Sequence, residues 1–325
     1  MENTEKNSIL QKAKQLMEEC EYESAEQQLK ILFKSDPNNC EILDLLGEIY
    51  LNIDNFKGAK KMLEKSISLQ PDTNPDKYTD YAQLLDDPSQ RVESYKKAIE
   101  LYINNLQNEK NEKKILEIKE AIASAYSSIA SLYMTTDLCD DPNAENICEK
   151  SIESALGYFP ESVDALLQLS NLRILRKKDK DAKNAMYKIF EKLKNIGEQE
   201  GNLPERDMLI NLSQNFAELK LFQEAIYVIN LILNKDDEDI ECYYLLAVYQ
   251  DEYRNFLSAM EALEKFNALY IKIQKNGVVT PVIQQYVDSA KNLYIKLSKI
   301  KKDKLIDEHP EDEDNMEEEE DEEMK

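Results

Sequence analysis

Apolar residues recur along this chain at the spacing i, i+3, i+4, i+7, which places them on one stripe of a helix. The stripe comes in pairs. Lys6 to Asn39 carries Ile9, Ala13, Leu16, Tyr22, Ala25, Leu29, Leu32 and Pro37. Cys40 to Thr73 repeats the pattern with Leu43, Leu46, Gly47, Tyr50, Phe56, Ala59, Leu63, Ser66 and Pro71. Arg206 to Asp239 gives Leu209, Leu212, Ser213, Phe216, Phe222, Ala225, Ile229 and Ile232, and Ile240 onward gives Tyr243, Leu246, Ala247, Phe256, Ala259, Leu263 and Phe266. Val163 to Ile196 is a fifth copy, with Leu166, Leu169, Ser170, Ala182, Met186 and Ile189. Ala25 and Ala59, Pro37 and Pro71, Phe222 and Phe256, and Ala225 and Ala259 each stand 34 residues apart. Small residues at two fixed places let paired helices approach closely. Large apolar residues fill the seam, and the proline ends the second helix because it lacks an N–H.

A 34-residue period of this kind resembles the tetratricopeptide repeat. The resemblance implies an all-α, right-handed superhelical solenoid of helix pairs. We expect a flexible N-terminus at 1–5 and an array of about seven repeats over 6–279, irregular at 74–160. A capping helix at 280–305 and an acidic disordered tail at 306–325 should follow. In the irregular part, Tyr78, Tyr81, Ala82 and Leu85 lead to Tyr95 and Ala98 through a turn at Asp86-Asp87-Pro88-Ser89. The next repeat has Ile129, Ala130 and Tyr133, then Cys148, Ile152, Ala155 and Pro160, with an inter-helix turn six residues too long. Thr280-Pro281 reads as a cap followed by a first helical residue.

Charge narrows the function. The net charge is −24, and Asp307 to Lys325 supplies half of it. Such a chain should repel nucleic acid and anionic membranes and attract basic partners. Five cysteines (Cys20, Cys40, Cys139, Cys148, Cys242) make no CxxC pair, and the one histidine is His309. No metal site and no cofactor are therefore expected, and the thiols suggest a reducing compartment, cytoplasmic and nuclear. No apolar run reaches the length of a membrane span, and Met1 to Leu10 lacks a signal-peptide core. There is no glycine-rich phosphate loop and no histidine for general base work, so an enzyme is not expected.

In the tetratricopeptide fold, positions 2, 5, 9, 12 and 13 of each repeat face the concave groove. Here they include Glu18, Glu41, Asp44, Glu48, Asp76, Asp86, Asp87, Asp164, Asp207, Glu218, Glu241, Asp251 and Glu252, against a single base, Lys14. That is far more one-sided than the chain's 65 acids to 41 bases. Asn171, Tyr244, Met17, Leu51, Leu167, Ile174, Ile210 and Val248 add polar and apolar contact area. An acidic groove with apolar pockets suits an extended basic segment. Solubility alone would also charge a helix face, but it would normally mix the signs. The clamp that holds heat-shock C-termini needs Lys, Asn and Arg at five groove positions. Leu10, Lys14, Leu45, Asp76 and Asp80 stand there instead, so that ligand is not expected.

One stretch is more specific. Tyr133-Met134-Thr135-Thr136-Asp137-Leu138-Cys139 runs into Ala144-Glu145 and Cys148-Glu149, then Asp164 to Ile174 with Leu169-Ser170-Asn171-Leu172-Arg173-Ile174. It is similar to the fungal and plant family of dedicated assembly chaperones for large-subunit ribosomal protein L-four. One extra threonine (Thr135 or Thr136) departs from that family's turn. The resemblance implies a non-enzymatic chaperone. It would hold its very basic client in the acidic groove and release it at the pre-ribosome. The turn residues Tyr133, Met134, Asp137, Leu138, Cys139, Ala144, Glu145 and Cys148 are expected to be structural. The alternative is a tetratricopeptide scaffold subunit of another protein complex.

Overall fold

A computed structural model describes residues 3–198, 203–277 and 279–300 of the chain. Their regular structure is helical throughout. In order run α1 (Asn3–Glu18), α2 (Tyr22–Ser35), α3 (Cys40–Asn52), α4 (Phe56–Leu69), α5 (Asp76–Gln83), α6 (Pro88–Asn108), α7 (Glu112–Thr135) and α8 (Ala144–Tyr158). Then come α9 (Val163–Leu175), α10 (Asp179–Glu198), α11 (Arg206–Glu218), α12 (Phe222–Leu233), α13 (Ile240–Glu252), α14 (Phe256–Asn276) and α15 (Pro281–Ser298). The first helix begins at Asn3, inside the segment expected to be flexible. The acidic segment 306–325 lies outside the described residues.

Side-chain caps set many of the helix starts. Asn39 accepts from the Ile42 N–H at 3.2 Å, Asn55 from Gly58 at 3.1 Å, and Asp239 from Cys242 at 3.1 Å. Thr280 accepts from Ile283 at 3.3 Å with Pro281 next to it, as the sequence pattern predicts. Each such bond satisfies one of the orphan N–H groups of a first turn.

The turns inside the regular pairs share one closure. Cys20, Asp54, Lys177, Lys220 and Arg254 all have φ between 55° and 63°, in the left-handed region. In each case the next residue's N–H reaches back over the helix end. Glu21 bonds the Leu16 carbonyl at 2.8 Å, Asn55 bonds Tyr50 at 2.8 Å, Lys178 bonds Arg173 at 2.9 Å, Leu221 bonds Phe216 at 2.8 Å, and Asn255 bonds Gln250 at 2.8 Å. This closure usually recruits glycine, and here five other residues hold it.

The chain divides into two compact units, Met1–Ala185 and Met186–Lys325. In the first, α1 packs on α2, α3 on α4, α5 on α6 and α7 on α8, and α9 rests on α7 and α8. The small residues sit at the seams: Ala13, Ala25, Ala59, Ala82, Ala98, Ala130 and Ala155 have no exposed surface. Gly47 is there because nothing larger fits. A Cβ on it would lie 2.6 Å from Leu63 Cδ2. In the second unit α11 packs on α12 and α13 on α14, with Ala225, Ala247 and Ala259 again fully buried. There α15 covers the last pair. Val287, Ala290 and Leu297 bury themselves against Ala247, Ala259, Ala262, Leu263 and Phe266.

The irregular stretch departs from the pattern by helix length. The short α5 spans 8 residues and ends before Asp86, whereas α6 spans 21 and α7 spans 24. Between α7 and α8 lies a single 3₁₀ turn at Asp137–Asp140. Despite the longer connection, the Cys148 thiol lies 3.5 Å from the Ala130 carbonyl and is buried, so the seam closes where a regular repeat would close it.

Candidate functional site

Four carboxylates from two helices converge in the first unit. On α3, Asp44 and Glu48 stand one turn apart, and on α5 so do Asp76 and Asp80. The i, i+4 spacing puts each pair on one face. Together with Lys14, Glu41, Leu45, Asn74 and Lys77 they line a cleft of about 410 Å³. Asp44 is buried, and one of its oxygens accepts from Asn74 Nδ2 at 2.8 Å. Its other oxygen has no hydrogen-bond partner. Tyr102 of α6 donates its hydroxyl to Asp76.

The neighbouring lysines leave these acids uncompensated. Lys14 pairs with Glu41 at 2.7 Å at the cleft mouth. Lys77 is almost fully buried, and its ammonium donates to the Gln70 carbonyl and to Thr73 Oγ1 rather than to a carboxylate. Burial holds its pKa below the ordinary lysine value, against the pull of Asp44. Among the described residues, no basic nitrogen lies within ion-pair distance of Asp44, Glu48, Asp76 or Asp80. The acids feel one another instead. Burial, reinforced by Glu48, Asp76 and Asp44, pushes Asp80 up to about 7. Desolvation and Asp76 also raise Glu48. The site is a negative pocket short of a positive charge.

The other candidate residues lie apart from it. Glu18 is exposed at the end of α1. Asp86 is exposed in the α5–α6 turn, and Asp87 caps α6 through the Ser89 N–H at 2.9 Å. The shortness of α5 takes both off the helix face on which the 34-residue register put them. Asp164 lines a separate hydroxyl-rich cleft with Arg91, Ser127, Ser131 and Gln168. Asn171 is half-buried on α9.

In the second unit Asp207, Asp239, Glu241 and Asp251 are already engaged. Arg206 lies 3.1 Å from Asp207, 2.7 Å from Glu241 and 2.6 Å from Asp239. Tyr286 of α15 donates to the other Glu241 oxygen at 2.5 Å, and burial with that bond raises its pKa to about 12. Lys296 of α15 pairs with the buried Asp251 at 2.5 Å. Tyr244 packs on the Tyr286 ring with centroids 5.1 Å apart. Glu218 and Glu252 stay exposed.

The turn residues are held by packing and pairing. Tyr133 and Leu138 pack against Ile129 and Leu132, and Met134 against Cys148 and Ile152. Thr136 fixes the 3₁₀ turn, donating to the Leu132 carbonyl at 2.6 Å and accepting from the Leu138 N–H at 3.2 Å. Cys139 is exposed and Ala144 buried. The side chain of Asp137 lies outside what is described. Glu145 accepts from Arg176 Nε at 2.6 Å, and Glu149 takes the other face of that guanidinium at 2.9 and 3.0 Å. Arg173 joins Glu149 at 3.4 Å. The two halves of the specific stretch are thus bound by arginines. Asp80, read from sequence only as a position that fails the heat-shock clamp, and Arg176 were not among the candidate site residues. Asp80 was detectable from its i, i+4 relation to Asp76.

No family model matches the chain. Over 66% of its length it is 29% identical to a curated protein of Schizosaccharomyces pombe named "Probable assembly chaperone of rpl4". The matched region spans 64% of that relative, less than two thirds of it. The solved structure of "Assembly Chaperone of RpL4 (Acl4)" superposes with a TM-score of 0.67 at 19% identity, covering 75% of this chain and 95% of that one. A tetratricopeptide repeat protein from Parabacteroides merdae gives a TM-score of 0.50 at 16% identity, covering 89% of this chain and 100% of that one. The fold is an all-α tetratricopeptide array. The resemblance read from Leu132 to Ile174 extends to most of the chain.

Proposed function

We propose that this protein is a non-enzymatic assembly chaperone whose client is a basic ribosomal protein, large-subunit protein L4. It would hold the client on the acid-lined face of its first unit. The observation that carries the reading is the cleft of Asp44, Glu48, Asp76 and Asp80, whose carboxylates have no basic partner of their own. The name of the curated relative supplies the client. Like charges crowded at one cleft, with Asp44 buried among them, repel one another until a cation offsets them, so the cleft favours a basic partner. Client binding on this face, escort to the pre-ribosome and residence in cytoplasm and nucleus are parts of the same proposal. In the second unit Arg206, Tyr286 and Lys296 already occupy Asp239, Glu241 and Asp251, so we assign these three acids to holding α11, α13 and α15 together.

The test is affinity purification of the tagged chain at low salt. Ribosomal protein L4 should co-purify, and its recovery should fall as salt screens the acids. Replacing the exposed Glu41 and Glu48 together with lysine should sharply weaken capture while leaving the helical circular dichroism unchanged. Recovery of a stable complex without any ribosomal protein would refute the reading.

A further inference from the structure

We propose that the cleft where the start of α6 meets α7 and α9 is a subsite for one acidic side chain carried within the basic client segment. This rests on the reading that the client is a basic protein, and it names the exception that the protein recognises within that segment.

Arg91 carries the argument. Arg173, Arg176 and Arg206 each meet a carboxylate, and Arg254 is exposed in its turn. Arg91 is half-buried and lines this cleft of about 350 Å³. Among the described residues no carboxylate lies within ion-pair distance of it, although the chain holds 65 acids. Its Nε is buried without a hydrogen-bond partner. Its two terminal nitrogens remain accessible and donate to no described residue, so they are the part of the side chain that the cleft presents. A guanidinium partly stripped of water and left without a counter-charge is costly until an anion meets it.

The walls decide which anion. Ser124, Ser127, Ser128, Ser131 and Thr135 fall at i, i+3, i+4, i+7 and i+11, along one face of α7. Ser127, Ser128, Thr135 and Thr136 donate their protons back to the carbonyls of Ala123, Ser124, Ser131 and Leu132, at 2.6 to 3.1 Å. Their oxygens are thus left as acceptors, suited to a backbone N–H. Among the described residues Asp164 is the one carboxylate lining the cleft, and it disfavours a doubly charged phosphate. A carboxylate is planar and singly charged, and it takes two parallel N–H bonds from a guanidinium. One acidic residue of an extended chain therefore serves both walls. Its side chain meets Arg91, and its backbone N–H meets the hydroxyl oxygens. The same residue would be repelled at Asp44, Glu48, Asp76 and Asp80, so Arg91 sets the register of the bound segment.

The probes are two unstructured twelve-residue lysine-rich peptides, one with a central glutamate and one with glutamine at that place. Charge alone ranks them, because a chain this acidic should hold the glutamine peptide more tightly. The subsite reverses that order. At low salt the glutamate peptide should bind the full chain about threefold to tenfold more tightly, the worth of one charged bidentate pair less the general repulsion. Arg91→Met should restore the glutamine preference. Arg91→Lys should lose most of the reversal, because it keeps the charge without the fork. Arg254→Met should keep it. Arg91→Met should also leave the urea midpoint unchanged or higher, since the guanidinium offsets no charge within the fold. A lower midpoint would mean that Arg91 serves the fold instead, and overturns the assignment. Equal affinity, or a glutamine preference in the wild type, overturns the subsite while leaving the basic-client reading intact. If neither peptide binds, both fall. A glutamate preference that survives Arg91→Met places the subsite elsewhere and overturns the assignment.

Discussion

Removing the Arg206 guanidinium while keeping its hydrophobic stem, as in Arg206→Met, isolates the ion-pair centre of the second unit. The wild-type guanidinium meets Asp239 through two bonds, Nε to Oδ2 at 2.6 Å and Nη2 to Oδ1 at 3.1 Å. The Asp239 side chain is 6% exposed, so the variant strands a buried carboxylate. Losing one partner of a fully buried pair costs roughly 3–5 kcal/mol. Two features reduce that. Arg206 is 43% exposed, where solvent screens it, and Asp239 keeps its bond from the Cys242 N–H. The expected cost is about 2 kcal/mol, or about 1 M of urea midpoint for a unit of this size. The chain has no tryptophan, so far-UV circular dichroism follows the transition. The pH dependence adds a sign. Burial tends to raise the Asp239 pKa, but the bonds from Arg206 and from Cys242 together outweigh it and hold it below the ordinary aspartate value. Its contribution is therefore complete above the unfolded value near ~4 and disappears as pH falls through the lower folded value. In the variant, burial raises Asp239 with less to oppose it, so the gap between wild type and variant should be fullest near neutrality and narrow as pH falls through the carboxylate range. A midpoint shift under about 0.3 M, or no coupling in the cycle with Asp239→Asn, would refute the reasoning.

Three further outcomes are expected. Lys220→Gly relieves a left-handed residue at φ 61° and should stabilise the second unit by about 0.5–1 kcal/mol, read as a higher urea midpoint. Gly47→Ala should destabilise the first unit. The clash with Leu63 costs about 1–3 kcal/mol, against about 1 kcal/mol gained in helix propensity, and the loss should shrink in a Leu63→Ala background. Iodoacetamide near neutral pH should label the exposed Cys20 and Cys139 and spare Cys148, whose thiol burial pushes up to about 11. Mass spectrometry of the labelled peptides checks it, and rapid labelling of Cys148 would mean that the α7–α8 seam opens.

The sequence revealed the elements governed by local chemistry. Ala13, Ala25, Ala59, Ala225 and Ala259 sit at seams because a helix hairpin needs small residues at a fixed interval, and that interval is visible in one dimension. Thr280-Pro281 marked a helix start for the same reason. The Cys148 position survived a six-residue insertion because the extra residues form their own turn. What stayed hidden depends on helix length and on distant partners. The early end of α5 moved Asp86 and Asp87 into a turn and brought Asp80 into the cleft. Arg206 with Asp239 and Lys296 with Asp251 join residues 33 and 45 positions apart, and nothing in a repeat register selects those partners. A count of groove acids therefore treated two units alike that differ in how their charge is spent.

The pairing of α15 with α13 also bears on how this chain can grow or shrink. Repeat arrays evolve by duplicating or losing whole hairpins, and each new hairpin must be welcomed by the one before it. Tyr286 and Lys296 bond to Glu241 and Asp251 on the helix a following hairpin would meet. A hairpin inserted after α14 would have to replace these two side chains as well as the apolar cover of Val287 and Leu297. Copy number after α14 is thus constrained by specific polar contacts, as the α8–α9 junction of the first unit is by Arg173 and Arg176 on Glu145 and Glu149.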